Sequence, residues 1–300
     1  EEWAKEQRFA WRPWQTTTII EQQQELHTPQ RRTETVSAGD MLWRQHVLHF
    51  YSWDSLNPLN GGAIHPIRSY EPGEHVAYDW FAAVVAPAQV PGTEATRTGD
   101  VLRLRIPEIA MQGGEMYDRA ANQARMTLRR DGEVLHEGTA AWGDLGVPAG
   151  AATYELNLAV TRETDQQWEY STRTDTTWTF RSDGGAGTEV LPLLDVDYDV
   201  PVGLSNTVPG LAVRPVTFTV GHPEGVDRPA KVTSAKAWVS VDDGETWVRL
   251  PLVPAGRGEF RTIVLHPWES GHVSLRFQAT DAAGNAVDQT VIRAYGVAGR

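Results

Sequence analysis

Cysteine is absent from this chain of 300 residues, which excludes a disulfide framework, a thiolate metal site and a cysteine nucleophile. Lysine is nearly absent, found only at Lys5, Lys231 and Lys236, so arginine carries almost all the positive charge. With abundant Ala, Val, Gly and Thr, this usage suggests a high-GC genome. No apolar run approaches the length of a transmembrane span. Apolar residues seldom recur at helical spacing for long. Basic residues are also too few to balance the acids: the formal charge is −12, which disfavours phosphate backbones and anionic lipid surfaces. Neither a nucleic acid nor a membrane is therefore expected as a partner. The chain opens Glu1-Glu2-Trp3 without a signal-peptide pattern, as expected of a processed or excised piece.

What is present is alternation with period two. Val101 to Ile106, Tyr154 to Val160, Thr176 to Phe180, Val213 to Val220, Val273 to Phe277 and Gln289 to Tyr295 all read as short strands. Asp131-Gly132, between two such runs, suits a type I′ hairpin turn. Strands at this spacing predict an all-β chain of two consecutive β-sandwich domains. Ser182 to Thr188 (S-D-G-G-A-G-T) reads as a flexible linker. It divides an N-terminal β-sandwich, residues 1–185, from an immunoglobulin-like β-sandwich, residues 189–300. Pro87 to Thr98 is a long loop or an internal boundary. The segment with helical spacing is Glu115 to Met126.

Chemistry-bearing motifs are few. G-x-S-x-G, the phosphate-binding Walker loop, H-E-x-x-H and paired C-x-x-C do not occur. His46 and His49 lie in a strand-like run, where a spacing of three sends them to opposite faces. Asp195, Asp197 and Asp199 alternate with Val196, Tyr198 and Val200, so a strand puts all three carboxylates on one face. Such a row reads first as a solvated strand face; Ca²⁺, which favours hard anionic oxygens, is the alternative and the sole cofactor considered. The EF-hand template fails, because Val200 holds the glycine slot and no Glu holds the twelfth position. The tryptophans number twelve, enough to furnish sandwich cores or a sugar-stacking platform.

Ser240, Asp242, Gly244, Thr246 and Trp247 fit the S-x-D-x-G-x-T-W pattern of an Asp box, a structural turn in which the carboxylate accepts backbone N–H groups. The string Ala279 to Asn285, A-T-D-A-A-G-N, is of the A-x-D-x-x-G-N type that joins the last two strands of many bacterial immunoglobulin-like domains. Followed by D-Q-T-V-I-R-A-Y-G, it resembles the terminus of large actinobacterial (Streptomyces-type) secreted serine peptidases of the S8, subtilisin-like family. Tyr70 to Glu74, Trp80 to Pro87, Ser171 to Phe180 and Leu191 to Tyr198 are similar to strings of the same region. The likeness spans about residues 65 to 300; the first 65 are assigned by continuity.

The resemblance implies a secreted, extracellular chain from the C-terminal, non-catalytic part of such a peptidase. The family's D-[ST]-G, H-G-T-H and G-T-S-[MA] signatures do not occur, so no catalytic residue is assigned. The expected role is to support folding or stability of the catalytic portion, or to recruit protein substrate. The expected partners are that catalytic portion and protein substrate. The alternative is a module binding carbohydrate or cell-wall glycan, with Trp11, Trp14, Trp43 and Trp53 as candidate platforms. If self-cleavage releases the chain, an apolar docking patch is expected near Trp43 to Trp53.

Overall fold

A computed structural model describes residues 2–14, 20–50, 62–111, 115–118, 122–162, 169–185 and 187–299. Among these residues every regular element is a strand, in agreement with the period-two alternation. In chain order they are β1 (Glu2–Trp11), β2 (Ile20–Thr28), β3 (Leu42–Phe50), β4 (Gly62–Ile64), β5 (Thr96–Thr98), β6 (Val101–Arg105), β7 (Ala110–Met111) and β8 (Glu115–Asp118). There follow β9 (Asn122–Arg130), β10 (Glu133–Gly138), β11 (Trp142–Gly146), β12 (Ala152–Arg162), β13 (Arg173–Ser182), β14 (Thr188–Val190), β15 (Asp195–Asp199) and β16 (Thr207–Pro209). The last are β17 (Val213–Gly221), β18 (Val232–Ser240), β19 (Val248–Leu250), β20 (Val253–Gly256), β21 (Glu259–Leu265), β22 (Gly271–Asp281) and β23 (Ala286–Ala298).

The strands form four sheets. A six-stranded sheet runs β2-β1-β3-β4-β8-β7. A nine-stranded sheet runs β10-β9-β12-β13-β23-β22-β18-β19, with β16 beside β23. Two four-stranded sheets, β11-β6-β5-β14 and β15-β17-β21-β20, complete the set. The first of these covers β9, β12 and β13: Leu102 and Leu104 are buried in one core with Leu128, Leu156 and Phe180. The second covers β18, β22 and β23: the rings of Phe218 and Phe277 stack at 4.7 Å. Two sandwiches result, and the six-stranded sheet, drawn from the stretch expected to form the N-terminal sandwich, has a core apart from both.

Their boundary differs from the sequence expectation. β13 pairs antiparallel with β23 from Arg173↔Ile292 to Thr179↔Ala286, so one sheet runs through both sandwiches. A single cross-strand row, Met126, Leu158, Thr176, Gln289, Phe277, Ala237 and Leu250, crosses the seam, and every member is buried. Nor is Ser182 to Thr188 a free linker. It folds over Arg97, and β14 beyond it returns to pair with β5 of the first sandwich. Chain crossover thus falls at Leu191 to Leu194, where three leucines enter the shared core.

One further expectation is corrected. Glu115 to Met126 holds strand residues of β8 and the start of β9, because β4, β7 and β12 offer ladder partners that override local helical spacing. Pro87 to Thr98 is the long loop of the two readings as far as Ala95 and then enters β5; Pro87, Gln89, Val90 and Ala95 along it are buried. The hairpin at Asp131-Gly132 forms as read, with φ of 49° and 92° at its two residues and Arg130 opposite Glu133.

Candidate functional site

The Asp box closes β18 onto β19. Asp242 Oδ1 accepts from the Thr246 amide at 2.9 Å, and Oδ2 accepts from the Thr246 hydroxyl at 2.5 Å. Ser240 Oγ donates to Asp242 Oδ1 at 2.6 Å and accepts from the Gly244 amide at 2.9 Å. These bonds from Ser240 and Thr246 hold the Asp242 carboxyl down at about 2. Gly244 has φ +87°, and a Cβ there would lie 2.8 Å from Ile292 Cδ1 and 3.2 Å from Trp247 Cζ2. The glycine is thus required both by backbone conformation and by the half-buried Trp247 ring beneath it. All five motif residues serve the turn, as the pattern predicts.

The second motif does the same work in a solvent-excluded setting. Asp281 Oδ1 accepts from the amides of Ala283 and Asn285, both at 2.8 Å, and Oδ2 accepts from Asn285 Nδ2 at 2.7 Å. His222 Nε2 lies 3.1 Å from the same Oδ2, and the Asp281 side chain is fully buried. At the opposite end of the β22-β23 pair a bulge in β23 places Arg293 at φ +56°, its amide donating to Ser274 Oγ at 3.0 Å. The Arg293 guanidinium then forks onto Asp243, with Nη2 to Oδ2 at 2.7 Å. The Asp box and the chain's last long strand are therefore clamped together.

Asp195, Asp197 and Asp199 lie on one face of β15 as expected, with Val196, Tyr198 and Val200 turned to the core. The strand spaces them apart, and among the described residues they form no group able to hold a metal ion. Asp195 is instead committed to Gln89, whose amide and Nε2 both donate to it at 3.3 Å. Burial is the main cause that pushes the Asp195 carboxyl up to about 7; the Gln89 bonds lower it and Asp197 raises it. His46 stands on β3, as its flanking residues predict, its ring 5.2 Å from Phe9. Burial and then Arg44 lower it to about 4. The His49 side chain lies outside the described residues.

Of the sugar-platform candidates, Trp14 is exposed beneath Arg12, Trp11 and Trp43 are half-buried, and Trp43 Nε1 donates to Ser37 O at 2.9 Å. Trp53 lies outside the described residues. Among the described residues the other exposed tryptophans are Trp142, on β11, and Trp268, in the loop after β21, whereas Trp14 is in the turn after β1.

Three polar centres were not anticipated. Arg97 is fully buried; it donates to Gly99 O at 2.8 Å, Ser182 Oγ at 3.2 Å, and both Tyr154 OH and Pro148 O at 3.3 Å. At the seam Gln289 donates to Pro87 O and Thr176 Oγ1, both at 2.9 Å, and accepts from Tyr198 OH at 2.8 Å. Glu6, buried on β1, gathers Arg8, Arg32, Gln24 and Gln45 around its carboxylate. That network lowers its pKa although burial alone would raise it. Each centre is assembled from segments far apart in the chain, so local spacing carries no sign of it.

No family model matches the chain, and no curated protein matches it. Among solved structures, it is similar to three N-terminal domains of the highly immunogenic outer capsid protein (Hoc) of bacteriophage RB49. That likeness has 8% identity, covers 98% of this chain and 88% of that one, and has a TM-score of 0.23. A putative membrane anchored protein from Corynebacterium diphtheriae matches at 14% identity over 100% of this chain and 58% of that one, also with a TM-score of 0.23.

Proposed function

We propose that the chain is a non-catalytic accessory region of a secreted, extracellular subtilisin-like serine peptidase, acting as a rigid support for the catalytic portion. One observation supports this reading: four of the strings on which the family resemblance rests, Trp80–Pro87, Ser171–Phe180, Leu191–Tyr198 and the terminal one, meet at a buried junction. Pro87 of the Trp80–Pro87 string accepts from Gln289 of the terminal string, which also donates to Thr176. Tyr198 of the Leu191–Tyr198 string donates to Gln289, and Trp178 Nε1 donates to Leu194 O at 3.1 Å. The Ser171 amide donates to Arg293 O at 2.7 Å. The residues of these strings thus join the two sandwiches, which supports the work of a scaffold rather than of a reacting centre. A glycan platform has less support, because the exposed Trp14, Trp142 and Trp268 stand at separate places in the fold: in the turn after β1, on β11, and in the loop between β21 and β22.

The test is immunoprecipitation of the chain from native culture fluid treated with a fluorophosphonate probe. Recovery of a labelled subtilisin-type domain, bound to the chain or continuous with it, is expected. Recovery of the chain alone, together with retention on cell-wall glycan, would replace this reading with the glycan one. Labelling of a serine within the 300 residues would overturn its non-catalytic character.

A further inference from the structure

Among the described residues the four sheets end in eight edge strands, and seven of these are poor templates for a further strand. β7, β14 and β19 have two or three residues. β20 and β10 have four and six, each with a break in register. β11 carries Gly143 and Gly146 among its five, and β15 carries Asp195, Asp197 and Asp199 among its five. Shortness, bulges, glycine and dense charge all blunt an edge. β2 differs. Its nine residues, I-E-Q-Q-Q-E-L-H-T, include no glycine, proline or lysine. They pair with β1 without a break from Glu2↔Thr28 to Ala10↔Ile20, and no strand among the described residues lies on their other side. At such an edge every second residue turns its N–H and C=O away from the sheet.

The two faces beside this edge differ in charge. Glu21 and Glu25, four apart, belong to one face. The cations of that face stand further in: Lys5 on β1 is opposite Glu25, and Arg44 on β3 is opposite Phe9, which is opposite Glu21. The rim itself is therefore acidic. On the other face Gln22 is opposite Arg8 and Gln24 opposite Glu6, and these four with Glu34 line a hollow of about 350 Å³. Its carboxylates are already paired, Glu6 with Arg8 and Arg32, and Glu34 with the same two arginines. The hollow is polar and balanced in charge.

We infer that β2 receives an extended basic segment of another protein as an added strand, main chain to main chain. Lysine or arginine at alternate positions meets Glu21 and Glu25, and the neutral polar residues between them lie over Gln22, Gln24 and the hollow. Charge selects this occupant over a second copy. Two β2 strands paired antiparallel about a two-fold axis normal to the sheet keep the same face up, which gathers four glutamates on one side. The inference rests on this edge and its hollow and does not depend on the peptidase reading.

Fluorescence anisotropy of a labelled peptide of alternating Thr and Lys, as long as β2 and titrated with the full chain, tests it. Saturable binding is expected. Replacing the peptide's Lys by Glu should weaken it at least about tenfold. A peptide of the same charge with every backbone N–H methylated should bind as poorly, because the ladder donors are gone. Glu21→Lys with Glu25→Lys, at the rim of the sheet, should reverse the preference in favour of the Glu peptide. Absence of binding by the Lys peptide overturns the inference. Binding that N-methylation leaves intact overturns it as well, by showing charge attraction without an added strand. A chain that dimerises through β2 overturns it too, by giving the edge to a second copy.

Discussion

Asp242 and Asp281 perform one task, accepting turn amides, at opposite degrees of exposure, and their substitution should separate accordingly. Asp281 is fully buried and serves the amides of Ala283 and Asn285, the Asn285 side chain and His222. Asp281→Ala strands those donors where water cannot replace the carboxylate, so urea unfolding should show a loss of about 3 kcal/mol with an unchanged m-value. The Asp242 turn is open to water, which can take over its bonds, so Asp242→Ala should cost clearly less. Equal losses would contradict this assignment. The pH dependence of Asp242 is that of a depressed carboxyl: its stabilisation is present above the ordinary range near ~4 and is lost as pH falls towards the folded value. Asp195 behaves oppositely. Its folded value is raised to about 7, chiefly by burial. Between ~4 and that value the folded chain keeps a proton that the unfolded chain has released, so stability falls as pH rises through this window and levels off above it. Asp195→Asn should remove that fall. The check is the difference in urea midpoint between the chain and the variant at pH 5 and pH 8; a difference that does not change with pH would refute the assignment.

At the scale of elements, the Ser182–Thr188 loop is the most instructive. Its composition reads as a flexible linker, yet Gly184 has φ +68° and its Cβ position lies 2.5–2.7 Å from the Arg97 guanidinium. Arg97 is held by four acceptors and cannot swing away. Gly184→Ala should therefore destabilise the chain by about 1–3 kcal/mol through strain and overpacking, measured as a shift in urea midpoint. A true linker would tolerate the change, so a neutral result would return the loop to that role. The strands themselves were legible because one face of each is buried and alternation records it. The Asp131-Gly132 hairpin and both Asp turns were legible because their hydrogen bonds close within five residues. The Glu115–Met126 segment misled because β4 and β12, two of its ladder partners, lie far off in the chain. The Asp195 row was read onto the correct face, but Gln89, its partner, is 106 residues away. Arg97, Gln289 and the Glu6 network were missed for the same reason: composition reports residue types, and only the fold reports which distant acceptors surround them.

On the scale of the whole molecule, the seam decides how the chain unfolds. Two sandwiches joined only by a linker would melt separately, each exposing its own core. Here β13 contributes seven residue pairs to β23, and buried rows cross the junction on the inner face. Leu128, Leu156, Trp178, Val287 and Ala279 form one such row, with Trp178 at its centre. Separating the sandwiches would uncover the β23 edge and strand Gln289, which is bonded to both sides. The cost of opening either sandwich alone therefore includes most of the seam, and the cheaper route is to lose both together. The six-stranded sheet has its own small core of Ala63, Val85, Ile109 and Met111, separate from the core that the sandwiches share. Trp178→Ala provides the test. Removing a fully buried ring from the first sandwich should cost about 3–5 kcal/mol. Native-state hydrogen exchange should show that loss equally in β9 and β12, on its own side, and in β22 and β18, two and three strands beyond the substitution. Protection of β18 and β22 that stays at the wild-type level, while β9 and β12 weaken, would mean that the continuous sheet joins the two sandwiches in geometry but not in free energy.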